Sequence, residues 1–133
     1  MELEFSEQQN MLRESVASLC ADRSDSSVIR ALASEECGYS EFFWAGLRDM
    51  GLTGLLIDEK YGGVALGALD CALVYEEFGR SLAQSPHFES CVLAARLLTV
   101  AGTESQRTEL LPAIATGEQS VTVAWQEAGS SGD

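Results

Sequence analysis

The sequence predicts an all-α fold, a helical bundle that ends in the stub of a β-strand. Apolar residues recur at intervals of three and four along most of residues 7–116, which is the spacing of helices with one buried face. Residues that cap helices precede several of these segments. From residue 119 the apolar positions alternate instead, which is typical of a strand.

The first three helices are predicted from capping residues and apolar spacing. Ser6 and Gln9 have the spacing of a capping box, so a helix is expected over residues 7–22. A shorter helix is expected to end near Gly38. Ser40 can cap a third helix, "EFFWAGLRDM", which Gly51 follows and ends.

The middle of the chain is predicted to form a structured loop and then an amphipathic helix. Glycines interrupt the apolar stretch "GLTGLLIDEKYGG", so the backbone turns there. In "LDCALVYEEFGRSLA" one side of the helix is apolar and holds Leu69, Leu73, Val74 and Phe78. Glu76 and Glu77 lie opposite. Because adjacent helical positions do not face each other, this pair indicates a solvated face or an interdomain salt-bridge partner rather than a two-carboxylate catalytic site.

The segment "CVLAARLL" is apolar around nearly its whole circumference. A helix of this kind belongs inside a bundle, so Leu93, Leu97 and Leu98 are expected to be mostly buried. This segment is therefore predicted to be the central helix.

A last helix and a strand are predicted at the end of the chain. Thr103 and Gln106 repeat the capping-box spacing, Pro112 is expected to break or kink the helix, and Gly117 to end it. Residues 119–126 alternate and are rich in β-branched side chains. A lone half-buried strand needs a partner. We therefore expect a helical domain over residues 1–117 and the start of a β-rich domain over residues 118–133.

Charge and composition exclude several classes of function. Twenty-one acidic and eight basic residues give a net charge of −13, which repels nucleic acids and anionic membrane surfaces. The sequence has neither a run of about 20 apolar residues nor a basic leader at its start. These features predict a soluble, cytoplasmic protein.

The sequence offers little for metal binding or nucleophilic catalysis. Four cysteines lack CxxC spacing, and His87 is the one histidine, so no metal site is expected and the cysteines are predicted to be reduced. A Ser/His/Asp or Cys/His unit would have to use His87, but no nucleophile-elbow sequence is present.

Several stretches in order resemble the N-terminal helical domain of the acyl-CoA dehydrogenase family. They are "FSEQQNMLRESV", "GLTGLLIDEKYGG", "LDCALVYEEFGRSLA" and "AGTESQRTELLPAIATGEQSVTVAW". The resemblance implies a flavoprotein in which a β middle domain and a C-terminal four-helix bundle follow, with FAD between those two. In the family a glutamate of the C-terminal part removes the α proton of an acyl-CoA thioester, and the β hydrogen passes to FAD as hydride. No catalytic residue is therefore expected in this chain.

The resemblance also implies partners and a site for FAD. Electron-transfer flavoprotein is the implied electron acceptor, and a homo- or hetero-oligomer is expected. The stretch "QEAGSSGD" matches the family's "TEPGAGSD" turn, whose backbone N–H groups and serine hydroxyl reach the cofactor and the thioester. The implied cofactor-binding residues are Val123, Trp125, Gln126 and Gly132. Gln126 replaces the usual threonine and Gly132 the serine, which removes a hydroxyl donor. For Trp125, filling the interface beneath the helical domain is an alternative to flavin stacking.

The implied substrate-binding residues are Ser85, Glu89 and Gly132. By resemblance, Ser85 and Glu89 match positions at the far end of the acyl cavity, and on a helix they would share one face. The alternative is that Ser85 caps this helix and that Glu89 is an exposed carboxylate of its first turn.

Two other functions remain open from the sequence. The altered "QEAGSSGD" turn favours a non-catalytic scaffold subunit that has lost flavin binding and pairs with an active paralogue. Related flavin oxidases and monooxygenases would use the same fold for different chemistry.

Overall fold

A computed structural model describes residues 4–125 of the chain. Within this range six α-helices form: α1 Glu7–Arg23, α2 Ser26–Leu32, α3 Glu41–Asp49, α4 Ala68–Ser81, α5 Ala95–Ala101 and α6 Glu104–Ala115. Two short 3₁₀ turns, Leu52–Gly54 and Glu59–Tyr61, lie between α3 and α4, and a π-helical segment, Phe88–Ala94, leads directly into α5. The predicted all-α class is confirmed.

The predicted helix caps are present. Ser6 Oγ accepts the Gln9 N–H at 3.2 Å, and Gln9 Oε1 accepts the Ser6 N–H at 3.0 Å. Thr103 and Gln106 form the same reciprocal pair at the start of α6. Ser40 Oγ accepts the N–H of the third residue of α3 at 3.2 Å. Each cap satisfies backbone donors that a helix start leaves unpaired.

The core lies where α1, α3, α4 and α6 meet the loop that follows α3. Its most deeply buried large side chains include Val16, Phe43, Leu47, Leu55, Ile57, Val74, Leu111 and Ile114. The loop thus contributes to the core, as predicted for a structured loop. Gly63 allows its close folding, because a Cβ there would lie 2.0 Å from the Ile57 carbonyl oxygen. Leu69, expected on the buried side of α4, is instead 53% exposed.

Helix α6 continues through Pro112, so the predicted break is wrong. Three side chains hold the carbonyls of residues 115–117: Thr53 Oγ1 donates at 2.7 Å, Arg48 Nε at 3.0 Å and Trp44 Nε1 at 3.1 Å. These tertiary hydrogen bonds supply donors to carbonyls that the end of the helix leaves unpaired, and so stabilise the end of α6.

Helix α2 is shorter than predicted and ends at Leu32 rather than near Gly38. The Ser34 N–H and hydroxyl both donate to the Ala31 carbonyl, at 3.3 and 3.0 Å. A serine side chain that competes for a helix carbonyl favours termination, and this explains the early end.

The prediction that "CVLAARLL" is the central helix is wrong. Leu93 and Leu97 are 39% and 49% exposed, and Leu98 is half-buried. The side of the segment that packs inward consists instead of small residues, Cys91, Ala94 and Ala95. An apolar sequence on every side cannot indicate which side faces the core, and here the leucines face outward.

Glu77 is not on a solvated face. Glu77 is 6% exposed, and its Oε1 lies 3.2 Å from Arg80 Nη1 and 3.7 Å from Arg13 Nε. The ion pair with Arg13 joins α4 to α1 within the domain, so the interdomain role considered for Glu77 is not needed. Glu76 is largely exposed and pairs with Arg80 one turn away.

Residues 119–125 form no regular secondary structure. No second strand lies within the described range to pair with them, and Gln126 and the residues after it lie outside that range. The strand stub remains a prediction.

Among the helices between residues 4 and 125, none is both long and apolar enough to cross a membrane.

Candidate functional site

An open groove of about 920 Å³ lies beside the C-terminal end of α4. Its apolar lining includes Ile29, Tyr75, Phe78, Leu82, Ala83 and Phe88. Its polar lining includes Cys37, Tyr39, Gln84, Ser85, Glu89 and Thr122. A concave, mainly apolar surface with a few polar groups is the usual form of a site for an apolar or amphipathic ligand.

The two residues predicted to bind substrate, Ser85 and Glu89, both line this groove. They do not share a helical face, because Ser85 lies in the connection before the helical segment and Glu89 in its first turn. Nor does Ser85 cap that segment, which starts at Phe88 without a side-chain cap. Both side chains line the groove, although helical periodicity does not relate them. Their role as ligand contacts remains a prediction.

A buried histidine supports the inner wall of the groove. His87 is 1% exposed; its Nε2 lies 2.9 Å from the Leu52 carbonyl oxygen and its Nδ1 lies 2.7 Å from Tyr75 Oη. Because a carbonyl only accepts, Nε2 carries the proton and Nδ1 accepts the Tyr75 O–H. No sequence pattern signals this role, because a lone histidine has no spacing to a second one.

Burial controls the titration of this pair. It lowers the pKa of His87 below the ordinary 6.5, although the Leu52 carbonyl and Glu89 act in the opposite direction. It also raises the pKa of Tyr75, with smaller contributions from nearby cysteines and Glu89. Both groups are therefore neutral at pH 7, so the wall behind the groove carries no charge.

Tyr39 forms part of the opposite side of the groove. Its hydroxyl donates to Glu41 Oε1 at 3.1 Å, and burial together with the Glu41 carboxylate raises the pKa of Tyr39 to about 12. The ring of Tyr39 also meets that of Trp44 edge-on, with 6.2 Å between centroids. These contacts fix the Tyr39 side chain against α3.

Two of the four predicted cofactor-binding residues lie within the described range. Val123 is half-buried, whereas Trp125 is 75% exposed. The backbone N–H of Trp125 donates to the Val123 carbonyl at 3.1 Å. Trp125 therefore packs little against residues 4–125, and its role in flavin stacking or in an interface beneath the helical domain stays a prediction. Gln126 and Gly132 lie outside the described residues.

The segment that leads to Trp125 is anchored to the helical domain. The Val121 N–H donates to Ser90 Oγ at 3.0 Å, and Ser90 is 1% exposed. Ser90 thus accepts the Val121 N–H, which has no strand partner within the described range.

Residues 4–125 contain no group of three or more His, Cys, Asp or Glu side chains placed to hold a metal ion.

Comparison with known proteins identifies the family. Residues 6–118 match the family model described as "Acyl-CoA dehydrogenase, N-terminal domain". The chain belongs to the acyl-CoA dehydrogenase family. The resemblance read from the sequence motifs is therefore confirmed, and the groove lies in an acyl-CoA dehydrogenase N-terminal domain.

Individual relatives agree with this assignment. The acyl-CoA dehydrogenase IpdE2 of Mycobacterium tuberculosis is 36% identical over 113 residues, which cover 84% of this chain and 36% of the relative. Isovaleryl-CoA dehydrogenase of Pongo abelii is 29% identical over 134 residues, covering 97% of this chain and 31% of the relative. This chain thus spans about a third of the length of these acyl-CoA dehydrogenases.

Solved structures of the family share the fold. The chain superposes on a structure titled "Tcur3481-Tcur3483 steroid ACAD G363A variant" with a TM-score of 0.83 and 31% identity, covering 93% of this chain and 34% of the other. It superposes on the ChsE4-ChsE5 complex from Mycobacterium tuberculosis with a TM-score of 0.87 and 26% identity, covering 99% of this chain and 36% of the other.

Membership of the acyl-CoA dehydrogenase family implies FAD as the cofactor. Trp125 fits this implication, because its indole is largely exposed and lies on a segment anchored to the domain through Val121. An exposed indole offers a planar face to an aromatic ring system. The other implied contacts, Gln126 and Gly132, belong to the stretch outside the described residues.

Proposed function

We propose that this domain forms one wall of the acyl-binding cavity in an FAD-dependent acyl-CoA dehydrogenase. The groove carries the proposal, since it brings Ser85 and Glu89 together on a largely apolar wall. Its volume of about 920 Å³ is near the upper end of the range of about 300–1,000 Å³ typical of sites for small molecules. A groove of this size has room for an acyl group.

In this proposal the domain binds and shields the substrate rather than performing the chemistry. FAD, when bound, accepts the β hydrogen of the acyl group as hydride. The apolar wall of Tyr75, Phe78 and Ala83 holds the acyl chain and excludes water from it. Because Tyr75 and His87 are neutral and hydrogen-bonded to each other, this wall offers no charge to an apolar ligand.

An exposed apolar face that runs from the π-helical segment into α5 supports a place within a larger protein. Leu93, Leu97 and Val100 lie at helical spacing and are 39%, 49% and 69% exposed. Contiguous exposed apolar residues are typical of surfaces that contact other protein. We propose that residues 1–117 are the helical domain, that residues 118–133 begin the β middle domain, and that the α5 face contacts the remaining parts of the protein.

The proposed partners follow from the family and from the relatives. Electron-transfer flavoprotein is the proposed electron acceptor of the complete enzyme. The related ChsE4-ChsE5 structure is a complex, which supports a hetero-oligomeric assembly here as well. The complete protein is expected to act in the cytoplasm.

A binding experiment tests the groove. Two-dimensional ¹H–¹⁵N NMR spectra of the chain are recorded during titration with octanoyl-CoA, butyryl-CoA and free CoA. Octanoyl-CoA is expected to shift the amide signals of groove residues such as Tyr75, Ser85 and Glu89, and free CoA to leave them unchanged. Ser85→Phe is expected to reduce the octanoyl-CoA shifts by filling the groove.

The matched control places the same side chain elsewhere. Ser105→Phe adds a ring on an exposed position of α6 and should preserve octanoyl-CoA binding. Equal shifts with free CoA, or shifts confined to other surfaces, would contradict the acyl-groove proposal.

A scaffold subunit is the second candidate, and the flavin turn is the observation that favours it. Gln126 and Gly132 replace the threonine and serine usual in the family. The test is flavin titration of the longest natural polypeptide that contains this chain, beside its Gln126→Thr/Gly132→Ser variant. Tight, equal binding of FAD by both favours the enzyme. Binding by the double variant alone favours the scaffold, since regaining a charged hydrogen bond changes affinity by about tenfold or more.

A further inference from the structure

Leu82 ends α4 in the left-handed region of backbone space, with φ 52° and ψ 32°. Its N–H bonds the Gly79 carbonyl at 3.3 Å, and the Ala83 N–H bonds the Phe78 carbonyl at 2.9 Å. These two bonds define a Schellman motif, whose left-handed position is usually glycine because a Cβ is strained there. Leucine at this position therefore lowers the stability of the domain relative to glycine.

The Leu82 side chain does not recover this stability by packing within the domain. It is 70% exposed, so it removes little apolar surface from water. It lines the groove together with Phe88, which is 50% exposed, and the buried Phe78. Residues held in strained backbone conformations cluster at active sites and ligand sites.

We propose that Leu82 is a specificity-determining residue that covers the apolar part of an acyl group bound in the groove. This assignment rests on the proposed function of the groove. A long or bulky acyl group offers apolar surface for Leu82 to cover, whereas a short one offers little. Leu82 should therefore strengthen the binding of long acyl thioesters selectively.

Ala65 provides a control for the backbone strain. Among residues 4–125 it is the one other non-glycine residue with positive φ, at 55°. It is exposed and does not line the groove. Glycine at position 65 should relieve the same kind of strain without touching the ligand.

The experiment compares Leu82→Gly, Leu82→Met and Ala65→Gly with the parent chain. Isothermal titration measures the Kd of octanoyl-CoA and butyryl-CoA, and thermal unfolding gives the Tm. Leu82→Gly is expected to raise the Tm by about 2 to 6 °C. It should weaken octanoyl-CoA binding about five- to tenfold and change butyryl-CoA binding less than about twofold.

The other two variants separate strain from ligand contact. Leu82→Met keeps an apolar side chain and should retain octanoyl-CoA affinity, while Ala65→Gly should raise the Tm and leave both Kd values unchanged. If Leu82→Gly binds octanoyl-CoA as tightly as the parent, the assignment of Leu82 is overturned and the proposed function of the groove stands. The same holds if the variant loses equal affinity for both thioesters. If the parent binds octanoyl-CoA no better than free CoA, the proposed function and this assignment fail together.

Discussion

Tyr75 and His87 share a 2.7 Å hydrogen bond that connects the wall of the groove to the loop behind it. His87 continues the connection through Nε2 to the Leu52 carbonyl. Burial keeps the imidazole neutral by lowering the pKa of His87. The three residues belong to α4, the start of the π-helical segment and the loop after α3, so one side chain links three parts of the domain.

This arrangement predicts that the domain loses stability in mild acid. The unfolded chain binds a proton at His87 near the ordinary pKa of 6.5, whereas the native protein binds it only at lower pH. Below pH 6.5 the unfolded state therefore takes up more protons, and the free energy of unfolding falls as the pH falls. The Tm of the parent should drop between about pH 7.5 and about pH 5.5.

His87→Gln isolates this contribution from that of the carboxylates. Glutamine can still donate to the Leu52 carbonyl and does not titrate, but it removes the imidazole Nδ1 that accepts the Tyr75 hydroxyl. At pH 7 it should cost about 1–3 kcal/mol. Its Tm should fall less than that of the parent over the same pH range. Parallel pH profiles for the two proteins would exclude His87 as the source of the acid sensitivity.

Leu47 and Leu97 allow a comparison of a core position with a position on the outer face of α5. Leu47 is fully buried, whereas Leu97 is 49% exposed. Leu47→Ala should lower the free energy of unfolding by about 2–5 kcal/mol, through lost transfer energy and the cavity that remains. Leu97→Ala should change it by about 0.5 kcal/mol or less. Urea titration of both variants measures the difference, and a large effect of Leu97→Ala would show that α5 is buried after all.

The sequence predicted those parts of the fold that local chemistry determines. Ser6, Ser40 and Thr103 begin helices as expected, because a side-chain oxygen and the helix N–H groups lie within a few residues of each other. The prediction that Leu97 is buried was wrong because "CVLAARLL" is apolar on every side, and such a sequence does not indicate which side faces the core. The hydrogen bonds that hold the end of α6 come from side chains more than 60 residues away in sequence, which no local pattern contains.

The candidate site was predictable only in part, for similar reasons. Family resemblance selected Ser85 and Glu89, and the groove contains both. The His87–Tyr75 contact and the left-handed backbone of Leu82 arise from tertiary structure, and neither residue type signals them in advance.

Thr53 provides a test of the contacts that hold the end of α6. Its hydroxyl is buried and donates to the Ala115 carbonyl at 2.7 Å. Thr53→Val keeps the shape but leaves that carbonyl without this donor, so it should cost about 1–3 kcal/mol. Thr53→Ser retains the hydroxyl and should cost less than the valine variant. If valine is as stable as threonine, this hydrogen bond does not stabilise the last turn of α6.

The four cysteines should differ sharply in reactivity. Cys20, Cys71 and Cys91 are buried, and burial raises the pKa of each thiol, in the case of Cys91 to about 12. Cys37 is exposed and lines the groove. Because the thiolate is the reactive form, a disulfide reagent at about pH 8 should modify Cys37 rapidly and the other three only after denaturation. Absorbance of the released thiolate counts one fast thiol and four in total. Two or more fast thiols in the native protein would show that the buried cysteines are accessible, and Cys37→Ser should remove the fast phase entirely.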